Sequence, residues 1–95
     1  MNGMFALSGF QRDLLVVASG LENPSGQQLK GQFEDEMGTE VKDGRLYPNL
    51  DTLVEQGLLE KGQRDRRTNY YQVTENGSST IQEYVEWMQA RELPA

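Results

Sequence analysis

The feature that most constrains this chain is a change in its hydrophobic pattern at Gly57. Before Gly57, apolar residues recur at helical spacing in three separate segments. After it, two short runs at 58–62 and 69–74 have the composition of strands and flank a polar tip at 63–68. A fourth helical segment follows at 75–92. This order predicts a mainly α-helical fold with one small β-hairpin, in the arrangement of a winged helix-turn-helix.

The first two helices carry clear boundary signals. The first spans about residues 9–19 and is apolar almost all round, which predicts a central, buried position. The second follows Ser25, which together with Gln28 predicts a capping box that satisfies free backbone N–H groups of the first turn. Gly38 is the expected end of this helix, because glycine often follows a helix C-terminus.

The third helix is predicted over about 43–56, with Asp43 as its N-cap. Its apolar stripe consists of Leu46, Leu50, Leu53 and Val54. Its opposite face carries Arg45, Asn49, Thr52 and Gln56. In a winged helix-turn-helix the third helix enters the major groove of DNA and the hairpin lies over the DNA backbone. The third helix is therefore the predicted recognition helix.

Composition excludes several classes of protein. The 95 residues suit a single domain, predicted to span 1–95. The chain has no cysteine and no histidine, which removes thiolate metal sites and the usual general base of enzymes. We therefore expect no metal, no cofactor and no enzymatic activity. No apolar run approaches the roughly 20 residues of a membrane helix, and the N-terminus does not resemble a signal peptide, so we expect a cytoplasmic protein.

The net charge of −6 at first argues against a nucleic-acid partner, but the charges are unevenly distributed. The segment 42–67 contains six basic and five acidic residues, whereas the rest of the chain contains three basic and ten acidic ones. A short basic strip on an acidic body is compatible with DNA binding. The acidic composition with few lysines also suggests a halophilic source, with an ordinary acidic bacterial domain as the alternative.

Three short motifs lie along the recognition helix and the hairpin, and a glycine follows them in the last predicted helix. These are Gly-Arg-Leu-Tyr-Pro-Asn-Leu at 44–50, Glu-Gln-Gly-Leu-Leu at 55–59, Tyr-Tyr-Gln-Val-Thr at 70–74, and Gly77. Together they resemble the PadR family of transcriptional regulators, over about residues 10–92. The chain departs from the family pattern at Gln27 and Gln28, where members usually have an aromatic and an acidic residue. The resemblance implies a compact member of the family that forms a homodimer largely through its last helix, often with the first. It also implies gene repression that is often relieved by a small molecule.

Candidates for base recognition lie near the N-terminal end of the recognition helix. Arg45 could hold guanine with two hydrogen bonds, and Asn49, one turn later, could hold adenine in the same way. Thr52 could contact a thymine methyl group or a phosphate. The resemblance favours a phosphate contact for the hydroxyl of Tyr47. The alternative is that these are solvent-facing residues of a surface helix and a tyrosine at the edge of the core.

The hairpin tip has the strongest cluster of positive charge in the chain. Arg64, Arg66 and Arg67 fall within four positions, and Lys42 comes just before the recognition helix. Phosphate contact is their expected role, because lysine and arginine supply much of the electrostatic affinity of proteins for DNA. For the three arginines, a solvated turn is the alternative.

The last helix is the expected dimer interface. Its apolar residues are Ile81, Tyr84, Val85, Trp87 and Met88. They would pack on their own domain and on the partner's copy of the helix, or line a ligand site at that interface. The expected partners are double-stranded DNA, a second copy of the chain and, through the resemblance, a small-molecule effector, with no membrane. The alternative function is a winged-helix module for protein–protein contacts without DNA binding.

Overall fold

The computed structural model of this chain describes residues 3–91 and 94. The elements are a short 3₁₀ helix (Gly3–Ala6), α1 (Gly9–Ser19), α2 (Gly26–Met37), α3 (Asp43–Glu55), β1 (Leu59–Gln63), β2 (Asn69–Val73) and α4 (Glu75–Gln89). The predicted order of helices and strands is confirmed. Helix α4 ends at Gln89, earlier than predicted, and residue 92 of the predicted range lies outside the described residues. Within residues 3–91, no helix combines the length and apolarity that a membrane span requires.

The two strands form one antiparallel hairpin, which is the wing of the fold. Leu59 lies opposite Val73 at its base, and Gln63 lies opposite Asn69 next to the tip. The hairpin is attached to the turn before α2, because the backbone N–H of Tyr71 donates to the carbonyl oxygen of Pro24 at 2.9 Å. This contact fixes the wing beside the N-terminus of α2.

Side chains from every helix meet in one core, in which the leucines of α3 are central. Leu46, Leu50 and Leu53 are fully buried, as the predicted stripe requires, and Val54 is half-buried beside them. Each such leucine contributes about 1.5–3 kcal/mol relative to an exposed one. Met4, from the 3₁₀ helix that sequence analysis did not predict, is also fully buried. The 3₁₀ helix is therefore packed into the core.

Both predicted and unpredicted caps are present. The capping box of Ser25 and Gln28 at the start of α2 is confirmed, and Ser8 and Gln11 form the same device at the start of α1. The prediction that Asp43 caps α3 is wrong. Lys42 occupies the cap position without a side-chain hydrogen bond, and Asp43 is the first helical residue.

The reason for this difference is a contact between helices. The carboxylate of Asp43 accepts hydrogen bonds from Lys30 Nζ at 3.0 Å and from Gln27 Nε2 at 3.1 Å, both on α2. These two bonds tie the N-terminus of α3 to α2 instead of capping α3 locally, and local sequence could not reveal them.

Helix α4 begins in close contact with the base of the wing. The hydroxyl of Thr74 accepts from the N–H of Gly77 at 2.9 Å and donates to the carbonyl of Gly57 at 2.7 Å. A Cβ at Gly77 would overlap the backbone carbonyl oxygen of Leu58, whereas a Cβ at Gly31 in α2 would meet no atom within 4 Å. Glycine at position 77 is therefore required by packing.

This difference predicts opposite effects of two glycine substitutions in helices. Gly77→Ala should lower the free energy of unfolding by about 1–3 kcal/mol, because the added methyl group forces α4 away from the wing. Gly31→Ala, the control, should raise it by up to about 1 kcal/mol, because alanine favours the helix. Thermal unfolding followed by circular dichroism measures both. A Gly77→Ala variant as stable as the unchanged protein would contradict the close approach of α4.

Candidate nucleic-acid interface

The outward face of α3 lies opposite its buried leucines. Its exposed residues include Gly44, Arg45, Pro48, Asp51 and Gln56. Of the four residues predicted for this face, Arg45 and Gln56 are exposed, whereas Asn49 and Thr52 are half-buried. Gly44 and Pro48 carry no side-chain hydrogen-bond donor, so the donors of α3 lie at the edges of the face.

Arg45 lies against the first turn of α1. Its guanidinium carbon is 4.0 Å from the centre of the Phe10 ring, a cation–π contact. The ring of Phe10 in turn contacts that of Phe33 edge-on, with centroids 5.2 Å apart. Arg45 is exposed, but its guanidinium packs on the Phe10 ring of the same domain.

Asn49 makes two hydrogen bonds inside the protein. Its Nδ2 donates to the carbonyl oxygen of Arg45 at 2.7 Å, and its Oδ1 accepts from Gln11 Nε2 of α1 at 2.9 Å. Thr52 is turned inward along the helix, since its hydroxyl donates to the carbonyl of Pro48 at 3.1 Å. Each of these side chains keeps polar capacity for a further partner.

Tyr47 lies on the other edge of α3, next to the start of α2. Its hydroxyl accepts a hydrogen bond from Gln27 Nε2 at 2.9 Å. Its ring packs on Gly26, where a Cβ would lie only 2.5 Å from a ring carbon. Tyr47, Gln27 and the wing residues Arg67 and Thr68 border one cleft of about 390 Å³. The cleft joins the recognition helix to the wing.

Two lysines near α3 are neutralised by carboxylates. Lys30 pairs with Asp43 at 3.0 Å, and Lys61 of the wing pairs with Asp51 of α3 at 3.5 Å. The hydrogen bond from Lys30 is the main cause that lowers the pKa of Asp43, and the bond from Gln27 is the next. The bond between Lys30 and Asp43 also raises the pKa of Lys30. These pairs cancel charge at the surface around α3.

The wing tip is shaped by Asp65 and held by Arg64. Asp65 Oδ1 accepts from the backbone N–H of Arg67 at 2.9 Å, and this bond lowers the pKa of Asp65. Arg64 Nη1 donates to Gln28 Oε1 at 2.6 Å, which ties the tip to the capping box of α2. The side chains of Arg66, Arg67 and Lys42 form no ion pair or hydrogen bond with any other described residue. Their positive charges are available to a ligand.

The end of α4 forms a second surface, which is apolar. Trp87 and Met88 are 41% and 43% exposed, whereas Ile81, Tyr84 and Val85 are half-buried. Phe5 of the 3₁₀ helix joins them, with its ring centroid 5.0 Å from that of Trp87. We call Phe5, Tyr84, Trp87 and Met88 the apolar end patch.

Sequence reasoning missed several residues that support the interface. Gln11 could have been found, because it follows Ser8 at the same spacing as in the predicted capping box of α2. Gln27 and Phe10 act through contacts distant in sequence, which carry no local signal. Among the described residues, no group of acidic side chains is arranged to hold a metal ion.

Comparison with known proteins gives a consistent result. A family model described as the transcriptional regulator PadR-like family matches residues 14–83. The structure of H. salinarum RosR is similar, with 43% identity and a TM-score of 0.82, over 88% of this chain and 76% of that one. No match is found among curated protein sequences.

Two more distant structures share the fold. F93 from STIV, a winged-helix DNA-binding protein, is 20% identical, with a TM-score of 0.69 over 81% of this chain and 84% of that one. Bacillus subtilis PadR, in complex with operator DNA, is 18% identical, with a TM-score of 0.60 over 87% of this chain and 50% of that one. The fold is thus a winged helix.

The contact of Asp65 predicts how the wing tip responds to substitution. Asp65→Ala removes the acceptor for the Arg67 N–H and should speed hydrogen exchange of that amide about fivefold, since a hydrogen bond of this kind contributes about 1 kcal/mol. Asp65→Asn keeps an acceptor oxygen and removes only the charge, so it should preserve the slow exchange. NMR-detected exchange measures both variants. Equal exchange rates in the two variants would contradict a tip held by this bond.

Proposed function

Because the chain belongs to the PadR-like family of transcriptional regulators, we propose that it is a homodimer that binds specific double-stranded DNA sites in the cytoplasm. The chain is a DNA-binding transcription regulator with a winged-helix fold. We propose no enzymatic activity, in keeping with that family. The observation that carries the proposal is the cleft that joins Tyr47 of α3 to Arg67 of the wing, because a duplex would contact both elements at once.

The edges of α3 are proposed to read bases. Arg45 would leave the Phe10 ring to hold guanine, and Asn49 would offer its remaining hydrogen and lone pair to adenine. Thr52 is half-buried and bonded to its own helix, so we assign it a methyl or phosphate contact at the margin. Gly44 and Pro48 in the middle of the face leave room for the duplex to approach.

The wing and the start of α3 are proposed to bind phosphates. Arg66, Arg67 and Lys42 are the cations without a protein partner among the described residues, and Tyr47 has a hydroxyl beside the same cleft. Arg64 already donates to Gln28, so its first role is to dock the wing, and its other N–H groups remain for a phosphate. These contacts orient the protein on the duplex without reading sequence.

The apolar end patch is proposed as the dimer interface. Thr80 and Trp87 lie on one stripe of α4, and this stripe is buried at Thr80 and exposed at Trp87. The stripe therefore continues beyond the core on which it packs. A second copy of α4 is the matching occupant, since it offers the same apolar stripe in a two-fold arrangement. Ile81 and Val85 would lie at the edge of this interface.

Two further points follow from the same surface and from composition. The stacked rings of Tyr84 and Trp87, 5.6 Å apart, are where we propose that a flat apolar effector would bind, because aromatic rings bind such molecules by stacking. We also propose a halophilic source, supported by the acidic composition and by the similarity to H. salinarum RosR.

Removing a wing arginine should weaken binding to all duplexes alike. Arg66→Ala should lower affinity similarly for every sequence and reduce the slope of log affinity against log salt by roughly 0.9, as one phosphate contact is lost. Arg66→Lys keeps the charge and should retain most of both. Fluorescence anisotropy over a salt series measures this. If Arg66→Ala has no effect and random duplexes do not bind, the protein–protein module is the better account.

Truncating the apolar end patch should separate the dimer. Trp87→Ala and Met88→Ala should shift the protein towards monomer in sedimentation velocity, because each removes apolar surface from the interface. Met37→Ala is the matched control, since Met37 on α2 is 44% exposed, as Met88 is at 43%. A dimer that persists in the α4 variants, or that is lost equally in Met37→Ala, would contradict the assigned interface.

A further inference from the structure

We propose that Gln11 of α1 is a positioning residue that fixes the orientation of the Asn49 side chain and thereby sets one base preference of α3. This inference rests on the proposed function, in which Asn49 faces DNA. Gln11 lies in the first turn of α1, outside the recognition helix and the wing.

Three hydrogen bonds in series connect α1 to α3. The backbone N–H of Ser8 donates to Gln11 Oε1 at 3.0 Å. Gln11 Nε2 then donates to Asn49 Oδ1 at 2.9 Å, and Asn49 Nδ2 donates to the carbonyl oxygen of Arg45 at 2.7 Å. The series therefore begins and ends on backbone groups.

The polarity of these backbone groups decides the orientation of both side-chain amides. A backbone N–H can only donate and a carbonyl oxygen can only accept, so the Ser8 end requires Oε1 of Gln11 and the Arg45 end requires Nδ2 of Asn49. If the amide of Asn49 turned over, its nitrogen would face the Gln11 nitrogen and its oxygen would face a carbonyl oxygen. Two hydrogen bonds would be lost together, so one orientation is favoured.

A fixed orientation matters because the donor and the acceptor of the asparagine amide must each lie on the matching side of the adenine edge. The adenine edge offers one acceptor and one donor side by side in the major groove. Asn49 retains one hydrogen on Nδ2 and one lone pair on Oδ1, and the series of bonds fixes which of them lies on which side. Because the amide is already held in this order, it loses less conformational entropy when it binds the adenine edge.

The same turn of α1 also contacts the other proposed base reader. Phe10, the residue before Gln11, carries the guanidinium of Arg45 on its ring at 4.0 Å. Consecutive residues of α1 thus hold Arg45 and Asn49, which are one turn apart on α3. Because the contact between Phe10 and Arg45 is a stacking interaction, it has no donor–acceptor polarity, so of these two α1 residues only Gln11 imposes an orientation.

Two substitutions separate this role from a purely structural one. Gln11→Glu keeps an oxygen that accepts from the Ser8 N–H, so the capping box survives, but it has no hydrogen to give to Asn49. Ser8→Ala does the reverse. It removes the hydroxyl that accepts from the Gln11 N–H at 3.2 Å, and it retains the backbone N–H that orients Gln11.

The experiment is selection of bound duplexes from a random pool by the full chain, followed by sequencing, with melting temperatures of the same proteins. Asn49→Ala identifies the base pair that Asn49 reads. Gln11→Glu should reduce the preference at that base pair about tenfold and leave the other positions unchanged, with little change in melting temperature. The added negative charge lowers binding to all sequences equally and so cancels in the preference. Ser8→Ala should keep the preference and lower the melting temperature.

The outcomes that would contradict the role of Gln11 differ from the outcome that would contradict the proposed function. A preference in Gln11→Glu equal to that of the unchanged protein overturns the role of Gln11 while leaving the proposed function intact. Equal loss of preference in Ser8→Ala and Gln11→Glu also overturns it, because only the stability of α1 would then matter. If the unchanged protein selects no sequence, the result contradicts the proposed function itself, on which the role of Gln11 rests.

Discussion

The burial of three leucines on α3 is the constraint on which the rest of the structure depends. Leu46, Leu50 and Leu53 are fully buried, and exposing one of them would cost about 1.5–3 kcal/mol. This cost fixes the rotation of α3 about its own axis. The outward face, with Gly44 and Pro48 at its centre, is therefore a consequence of core packing, and α1 and α2 then hold the polar side chains at its edges.

The acidic composition and DNA binding are reconciled by pairing. Asp43 is bonded to Lys30 and Asp51 is paired with Lys61, so two of the three acidic residues of α3 already have protein partners. Among the described residues, Arg66, Arg67 and Lys42 are the cations without a protein partner, and these are the ones that we propose bind phosphates. A net charge of −6 therefore says little about the field at the interface, which depends on how the charges are distributed.

Local signals allowed much of the fold to be predicted from sequence. The order of elements, the capping box at Ser25, the stripe of α3 and the basic wing tip all follow from spacing within a few residues. The wrong N-cap at Asp43 and the unpredicted 3₁₀ helix have one cause. Both depend on partners from other parts of the chain, Lys30 for the first and the core for the second.

In the candidate site too, sequence predicts some residues, whereas the contacts between distant parts of the chain require the fold. Sequence analysis selected Arg45 and Asn49 by residue type and helical spacing, and both lie on the outward side of α3 or at its edge. It could not predict that Phe10 and Gln11 hold them, because these contacts connect residues more than thirty positions apart. The side chains that bind can thus be proposed from sequence, whereas the contacts that orient them require the fold.

The most direct test of the DNA-binding face is a map of backbone amide chemical shifts as a mixed-sequence DNA duplex is added to the full chain. Our account predicts that the largest changes fall on residues 42–49 and 64–68, with little change along α4. Changes concentrated on α4 and the 3₁₀ helix, with the wing tip unaffected, would contradict it.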